Sequence, residues 1–418
     1  MHILTGVNMM TKELVLVHTE QDQIVIVPLD KVDGWLPASP QHTWITADEK
    51  TVYVSTDAIP PFNASIVVLH LGAIDWGGGG GHRTNLDAGT ADVQLRQIVP
   101  MGPAGRPSDM PNLAQTDPQQ PIMPWTRPLY TQTHGPTFLP HSDFTYITHY
   151  TDDRVRGFEM RSNGTLKERV SYSKRELTRQ THGVNFNEAG DVGLGVGYDY
   201  DMSEVRVYKA NRWTGKVKVT HTIQLGTDAE YGAFAHYAAW LDDRYAYVGA
   251  MQVGPTSRTL PHARIVGPSV WLIDTQSYTA ECVIGPTDSP AAAGMYRSPS
   301  DLAIANGKLY AAEEDSWAVR PDMPSTYGRD GYISVWDLSD PRKPCYIKRL
   351  RPGCELPADF RNAHTATATQ DEASVFVSSF VSDHLIRIDT STDDVAKVYS
   401  GADGLHMFHG EFAAGRNR

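Results

Sequence analysis

The segment His364–Gly401 reads HTATATQDEASVFVSSFVSDHLIRIDTSTDDVAKVYSG and contains four short runs rich in β-branched and aromatic residues. Asp, Ser and Thr clusters separate these runs. Short apolar runs bounded by polar turn residues indicate strands that follow one another as a meander. The segment therefore predicts one four-stranded antiparallel sheet.

The same pattern recurs along the chain. Further copies begin at Gln41, His134 (HGPTFLPHSDFTYITHY), His182 (HGVNFNEAGDVGLGVGY), His236 (HYAAWLDDRYAYVGAMQ) and Ser300, and a last fragment, HGEFAAGRNR, begins at His409. A repeat of roughly 40–50 residues is typical of propellers and solenoids. The six complete copies and the last fragment make seven units.

The last fragment has only one strand, and matching strands lie at the other end of the chain. Glu13–Asp22 matches a second strand, QIVIVPLDKVD a third and GWLPASP a fourth. Joining the two ends in one sheet closes the ring and removes its open edges. The sequence thus predicts an all-β, seven-bladed β-propeller, a single domain over 1–418, in which the strand at His409 pairs beside Glu13–Thr19.

Composition excludes several classes of protein. The net charge of −12 does not suit a nucleic-acid surface, and no apolar run approaches the roughly 20 residues of a membrane span. The N-terminus has no basic segment followed by an apolar one, and the three cysteines show no CxxC spacing. We therefore expect a cytoplasmic protein without a nucleic-acid or membrane partner, and the oligomeric state stays open.

One histidine position repeats in register. When the copies are aligned on the turn after their first strand, one equivalent position is occupied by His134, His182, His236, His364 and His409. Gln41 and Ser300 take that position in the other two units, and only 16 of the 418 residues are His. Innermost strands surround the axis of a propeller, so these imidazoles are expected to converge on one cavity.

Two interpretations of the histidines remain open. Each imidazole could bond within its own blade, as a structural residue does. Alternatively, all five could hold a metal, because imidazole is a common ligand and a site without thiolates suits transition metals over Mg²⁺ or Ca²⁺. We favour the second, with copper or iron ahead of zinc or manganese.

Further residues are predicted to act beside the metal. His18 and His149 end strands assigned as second strands, which return to the same face, and they could move protons. Arg297 and Asp301 flank the unit that lacks the His, where they could bind an anionic substrate or carry a proton. Three long segments on that face, 101–133, 255–268 and 313–331, are interpreted as lids over a pocket for a small-molecule substrate.

The repeats ADEKTVYVST and QDEASVFVSSF resemble those of the lactonase-like and YVTN-type seven-bladed propellers. The histidine ring is similar in plan to the metal sites of nitrous-oxide reductase, thiocyanate dehydrogenase and the carotenoid oxygenases. These resemblances imply a metal-dependent oxidoreductase that acts on a small molecule. A lyase or lactone hydrolase with His as acid and base remains an alternative, as does a non-catalytic interaction propeller.

Overall fold

The computed structural model describes residues 3–9, 11–35, 39–57, 64–77, 89–102, 133–149, 154–172, 181–197, 204–226, 230–231, 235–250, 264–265, 268–285, 288, 298–314, 330–379, 382–406 and 408–409. Nearly all regular structure in these ranges is strand. The strands, in chain order, are β1 (Ile3–Asn8), β2 (Glu13–His18), β3 (Gln23–Pro28), β4 (Ser39–Ile45), β5 (Thr51–Asp57), β6 (Ala64–Asp75), β7 (Thr90–Gly102), β8 (Thr133–Phe138), β9 (Phe144–His149), β10 (Arg154–Met160), β11 (Leu166–Tyr172), β12 (Thr181–Phe186), β13 (Val192–Gly197), β14 (Glu204–Asn211), β15 (Lys216–Gln224), β16 (Glu230–Tyr231), β17 (Ala235–Trp240), β18 (Tyr245–Ala250), β19 (Arg264–Ile265), β20 (Ser269–Asp274), β21 (Thr279–Ile284), β22 (Ser298–Ala305), β23 (Lys308–Glu314), β24 (Tyr332–Asp337), β25 (Cys345–Leu350), β26 (Ala363–Ala368), β27 (Ser374–Ser379), β28 (Leu385–Asp389), β29 (Asp394–Tyr399) and β30 (Phe408–His409). No helix in the described ranges is both long enough and apolar enough to cross a membrane.

The strands form seven four-stranded antiparallel sheets, the blades of a propeller. Blades 1, 2 and 3 are β4–β7, β8–β11 and β12–β15; blade 4 is β17, β18, β20 and β21; blades 5 and 6 are β22–β25 and β26–β29; blade 7 is β30 with β1–β3. From blade 1 to blade 6, the first strand of each blade contacts the first strand of the next, which places these strands innermost. The predicted seven-bladed, all-β fold is confirmed.

Blade 7 contains strands from both ends of the chain. β30 pairs with β1, with Phe408 opposite Asn8 and His409 opposite Val7. The predicted pairing of the His409 strand beside Glu13–Thr19 is wrong, because β1 lies between β30 and β2. The sequence ILTGVN of β1 contains Gly and Asn, which are uncommon in strands, and this strand was missed. Glu13–His18 is therefore the third strand of its sheet and Gln23–Pro28 the fourth.

Apolar side chains fill the space between neighbouring blades because successive residues of a strand face opposite sides of the sheet. Between blades 5 and 6, for example, Tyr310, Val335, Val375 and Val377 are completely buried in one cluster. Burial on both faces explains why the strands read as nearly continuous apolar runs instead of alternating ones.

A tyrosine in the second strand of four blades reaches into the turn between the third and fourth strands of the next blade. Tyr53, Tyr146 and Tyr247 donate their hydroxyl protons to the carbonyl oxygens of Gly164, Gly215 and Pro341, and Tyr310 donates to Asp393 Oδ1. Burial raises the pKa of Tyr53, Tyr247 and Tyr310 far above the ordinary value. The hydroxyls therefore stay protonated and tie each blade to its neighbour.

Replacing Tyr146 by Phe is expected to lower the free energy of unfolding by about 1 kcal/mol, because the buried Gly215 carbonyl oxygen loses its donor at 2.6 Å. Phe376, at the equivalent position of blade 6, shows that the ring fits without a hydroxyl. Urea denaturation measures the change, and Tyr278→Phe at an exposed position is the control. A Tyr146→Phe variant as stable as the wild type would contradict this role for the hydroxyl.

Candidate functional site

A β-bulge interrupts the first strand of six blades at the same place. In blades 4 and 6, for example, Ala235 and Ala363 keep partners on the second strand, and the register then shifts by one residue. The residues at the corresponding shifts are Gln41–His42, His134, His182, His236, Ser300 and His364. A bulged residue lacks a cross-strand partner and its side chain can be re-aimed, so this irregularity marks the positions that the sequence repeat singled out.

The structure describes the side chains of two of the five aligned histidines, His236 and His364. Their ring centroids lie 6.0 Å apart at an interplanar angle of 63°. His236 comes from blade 4 and His364 from blade 6, so the two rings meet across the innermost strand of blade 5. The side chains of His134, His182, His409 and His149, and all of Arg297, lie outside the described residues.

Ser300 of blade 5 connects the two imidazoles. Its carbonyl oxygen accepts a hydrogen bond from His236 Nδ1, and its hydroxyl oxygen lies 2.9 Å from His364 Nδ1. Ser300 is completely buried, so a larger side chain there would have to displace its neighbours. The unit that lacks a His thus supplies the residue that orients the imidazoles on either side.

Glu314, the last residue of β23, is the fourth member of a cluster with His236, His364 and Ser300, called the histidine cluster below. Its Oε2 lies 3.2 Å from His364 Nδ1, and its side chain is 1% exposed. The Ser300 hydroxyl and the Glu314 carboxylate thus both contact Nδ1 of His364, so this is the ring nitrogen that blade 5 orients. A carbonyl oxygen can only accept, so the proton of His236 is on Nδ1. A neutral imidazole with its proton on Nδ1 has its lone pair on Nε2, which is the arrangement of a metal ligand or a general base.

The sequence interpretation did not include Glu314. Its signal was present, because Glu313 and Glu314 end the apolar strand KLYAAEE at a point where both side chains become buried. Glu313 faces the opposite side of the sheet and forms a buried ion pair with Arg349, whose guanidinium lies 4.2 Å from the Tyr332 ring centroid. Two adjacent acidic residues at the end of a second strand were therefore the sequence signal for the histidine cluster.

Asn362 was also missed. It comes just before β26, two residues from His364, and is 3% exposed with φ at 41°. Its Oδ1 is buried without a hydrogen-bond partner among the described residues. A buried unpaired acceptor in a strained backbone conformation is rare and often marks a functional position. Asn362 is thus an acceptor available to a bound molecule.

Asp301 lies beside the cluster and is buried. Its Oδ1 accepts from the backbone N–H of Leu302 at 2.7 Å, and its Oδ2 accepts from that of Ala366 in blade 6 at 2.9 Å. These bonds join the innermost strands of blades 5 and 6. Asp301 therefore has a structural contact in the described residues, and its catalytic role stays a prediction.

His18 lies at the end of its sheet opposite to β30, and its role as a proton shuttle stays a prediction. It ends β2 opposite Ile3, whereas the β30 end of the sheet is at Asn8. Five residues along a strand span roughly 17 Å. His18 packs edge-on against Trp76, with ring centroids 5.1 Å apart. His149, which ends β9 opposite Thr133, is at the same end as the aligned histidines.

The predicted lid segments 101–133, 255–268 and 313–331 lie mostly outside the described residues. Their ends show that they connect β7 to β8, β18 to β20 and β23 to β24. Residues 101–102 and 313–314 belong to strands rather than to loops, and β19 at Arg264–Ile265 pairs with β16. The lid function stays a prediction.

The described part of the chain contains no group of three or more His, Cys, Asp or Glu placed to hold a metal ion. The two described imidazoles nevertheless fit a metal site in their chemistry. Each has its Nδ1 in contact with an oxygen of blade 5, and such outer contacts orient metal-binding imidazoles.

Solved structures share this architecture over nearly the whole chain. A "putative 6-phosphogluconolactonase" from Bacteroides uniformis superposes with a TM-score of 0.59 at 12% identity, over 99% of this chain and 100% of the other. The two chains share the β-propeller fold. A functionally unknown protein from Desulfotomaculum acetoxidans gives a TM-score of 0.57 at 12% identity, over 99% of both chains.

Hydrazine synthase from Kuenenia stuttgartiensis gives a TM-score of 0.52 at 10% identity, over 86% of both chains. At these identities the likeness concerns the fold alone. No protein-family model matches the sequence, and a search of curated proteins found no match.

Proposed function

We propose that this protein is a metal-dependent enzyme, an oxidoreductase that acts on a small molecule in the central pocket of the propeller. The observation that carries the proposal is the pair His236 and His364, which come from blades 4 and 6 and lie 6.0 Å apart. Oxygens of Ser300 and Glu314 contact Nδ1 of these rings, and Nε2 of each would be the nitrogen that binds the metal.

His236 and His364 would hold the metal together with the aligned His134, His182 and His409. Nitrogen ligands without thiolates favour copper or iron, with zinc or manganese as alternatives. A bound copper or iron would supply one-electron chemistry and polarise a coordinated substrate. Glu314 and Ser300 would keep the imidazoles oriented, and Asn362 Oδ1 would accept a hydrogen bond from the substrate.

The test is elemental analysis of the purified protein, followed by removal of metal with a chelator and titration with Cu²⁺, Fe²⁺ and Zn²⁺. We expect tight binding of a transition metal and a rise in melting temperature on reloading, because a ligand that binds only the folded state stabilises it. A purified protein that contains no metal and gains no stability from any of the three ions would contradict the proposal.

A second candidate is a lyase or lactone hydrolase in which His364 acts as a general base. The contact between Glu314 and His364 Nδ1 favours it, because a carboxylate there fixes the orientation of an imidazole that acts as a base. Ser300 is not suited to be a nucleophile activated by this His, since it contacts the same nitrogen as the carboxylate. Two structural neighbours carry the name "putative 6-phosphogluconolactonase".

Glu314→Gln is expected to weaken metal binding by about 10–100-fold, since losing an outer contact to a ligating His has an effect of this size. Gln keeps the length of the side chain, so the melting temperature of the metal-free protein should change little. Chelator competition measures the affinity, and Glu281→Gln on the outer strand β21 is the control. Unchanged affinity in Glu314→Gln would show that the carboxylate does not act through His364.

A further inference from the structure

The hairpin formed by β14 and β15 has an unusual charge for this protein. The stretch 205–226 contains Arg206, Lys209, Arg212, Lys216 and Lys218 and no acidic residue, whereas the whole chain has a net charge of −12. Among the five, Arg206 is paired with Glu204. The rest form a local positive surface on an acidic protein.

The strand register brings the lysines of this hairpin together. Lys209 lies directly opposite Lys218, and Lys216 is opposite Asn211 two residues further on. Like charges directly opposite one another destabilise a sheet. All three lysines are exposed, and within the described ranges none forms an ion pair with an acidic residue. The fold therefore carries an uncompensated repulsion that an anionic partner would relieve.

An aromatic side chain stands at the tip of the same hairpin. Trp213 is 82% exposed, and the Arg212 guanidinium lies 5.7 Å from its ring centroid. Of the three exposed large hydrophobic residues in the described part of the chain, Tyr278 also adjoins the hairpin, stacked on His221 of β15. Exposed aromatic residues next to basic ones are typical of binding surfaces.

A groove of about 770 Å³ runs between this hairpin and the outer strand of blade 2. Its apolar lining comes from Val170, Ala210 and Val217, and Lys209, Lys216 and Lys218 belong to the wall formed by the hairpin. The lysine pair Lys209–Lys218 is next to the pair Ala210–Val217, so the lysine side chains lie on the other face of the hairpin from the apolar lining. One extended segment can contact both groups by crossing the outer edge of β15.

We propose that this hairpin groove binds an acidic, extended peptide segment of a partner protein. Carboxylates of the segment would pair with the lysines, and its apolar side chains would contact the groove and Trp213. A nucleic acid or an anionic membrane fits less well, because a net charge of −12 repels a large polyanionic surface. This inference does not depend on the proposed function, since the groove lies on the outer strands.

The test uses a fluorescent synthetic peptide that alternates Glu and Val, and fluorescence anisotropy with the full-length protein. We expect binding that weakens as the ionic strength rises from about 0.05 M to about 0.5 M, because exposed charges are screened. The variant Lys209→Glu/Lys216→Glu/Lys218→Glu should bind at least about tenfold more weakly, which corresponds to about 1.4 kcal/mol. Trp213→Ala should reduce the affinity severalfold.

The matched control is Lys31→Glu/Lys50→Glu/Lys343→Glu, which changes exposed lysines on three other blades by the same total charge. It should bind the peptide nearly as well as the wild type. Equal loss in both triple variants, or no binding by the wild type, would overturn the proposal. Tighter binding of single-stranded DNA or of phosphatidylserine vesicles than of the peptide would overturn it as well.

Discussion

Replacing both His236 and His364 by Ala is expected to abolish transition-metal binding while the propeller stays folded. Loss of a residue that only hydrogen-bonds to a metal ligand typically weakens metal binding by about 10–100-fold. Each single replacement removes a ligand itself, so it should weaken metal binding at least as much. Both residues lie at bulges at the ends of strands, outside the apolar clusters between blades, so little packing is lost.

Metal content by elemental analysis, chelator competition and a thermal melt of the metal-free protein measure this effect. His70→Ala, on the third strand of blade 1, is the control and should keep both metal and stability. A double variant that retains wild-type metal content would exclude these two imidazoles as ligands. A variant that loses metal and also unfolds would favour a structural role for the histidines.

Breaking the buried ion pair of blade 5 is expected to have the largest effect on stability. The side chains of Arg349 and Glu313 are 3% and 0% exposed. Arg349→Met should lower the free energy of unfolding by about 3–5 kcal/mol, because the Glu313 carboxylate is left buried without its partner. Glu313→Gln should also lower the free energy of unfolding, because the Arg349 guanidinium is then left buried without its carboxylate partner.

The double variant Arg349→Met/Glu313→Leu separates this cause from a loss of packing. Removing both charges should recover most of the stability, because well-packed apolar groups of similar volume often replace a buried pair without cost. Guanidinium denaturation of the three variants measures the effect. Single variants within about 1 kcal/mol of the wild type would mean that the pair behaves like an exposed one.

The arrangement around Ser300 explains why the histidine repeat is interrupted. Two imidazoles from blades 4 and 6 already occupy the space in front of blade 5, and Ser300 is completely buried between them. A third imidazole would have no room there without displacing its neighbours. The hydroxyl and carbonyl oxygens of a small residue can instead bond both rings.

Much of the fold could be predicted because it repeats. Each blade contains four short strands, and the units show up as a recurring pattern of His, turn residues and apolar runs even where other residues and the spacing between units differ. A strand that lacks this pattern is missed, as Ile3–Asn8 was. That single omission moved Glu13–His18 one strand inward in the interpretation and placed His18 at the wrong end of its sheet.

The sequence by itself determined the number of blades, the sharing of blade 7 between the two ends, and the register position of the histidines, because these depend on local patterns of strand and turn. Only the tertiary structure decided which groups meet. His236 and His364 are 128 residues apart in the sequence, and Glu314 reaches His364 from another blade. Such contacts depend on the angle between blades and on side-chain direction, which residue spacing does not encode. The contacts at Nδ1 that orient both imidazoles arise from this arrangement alone.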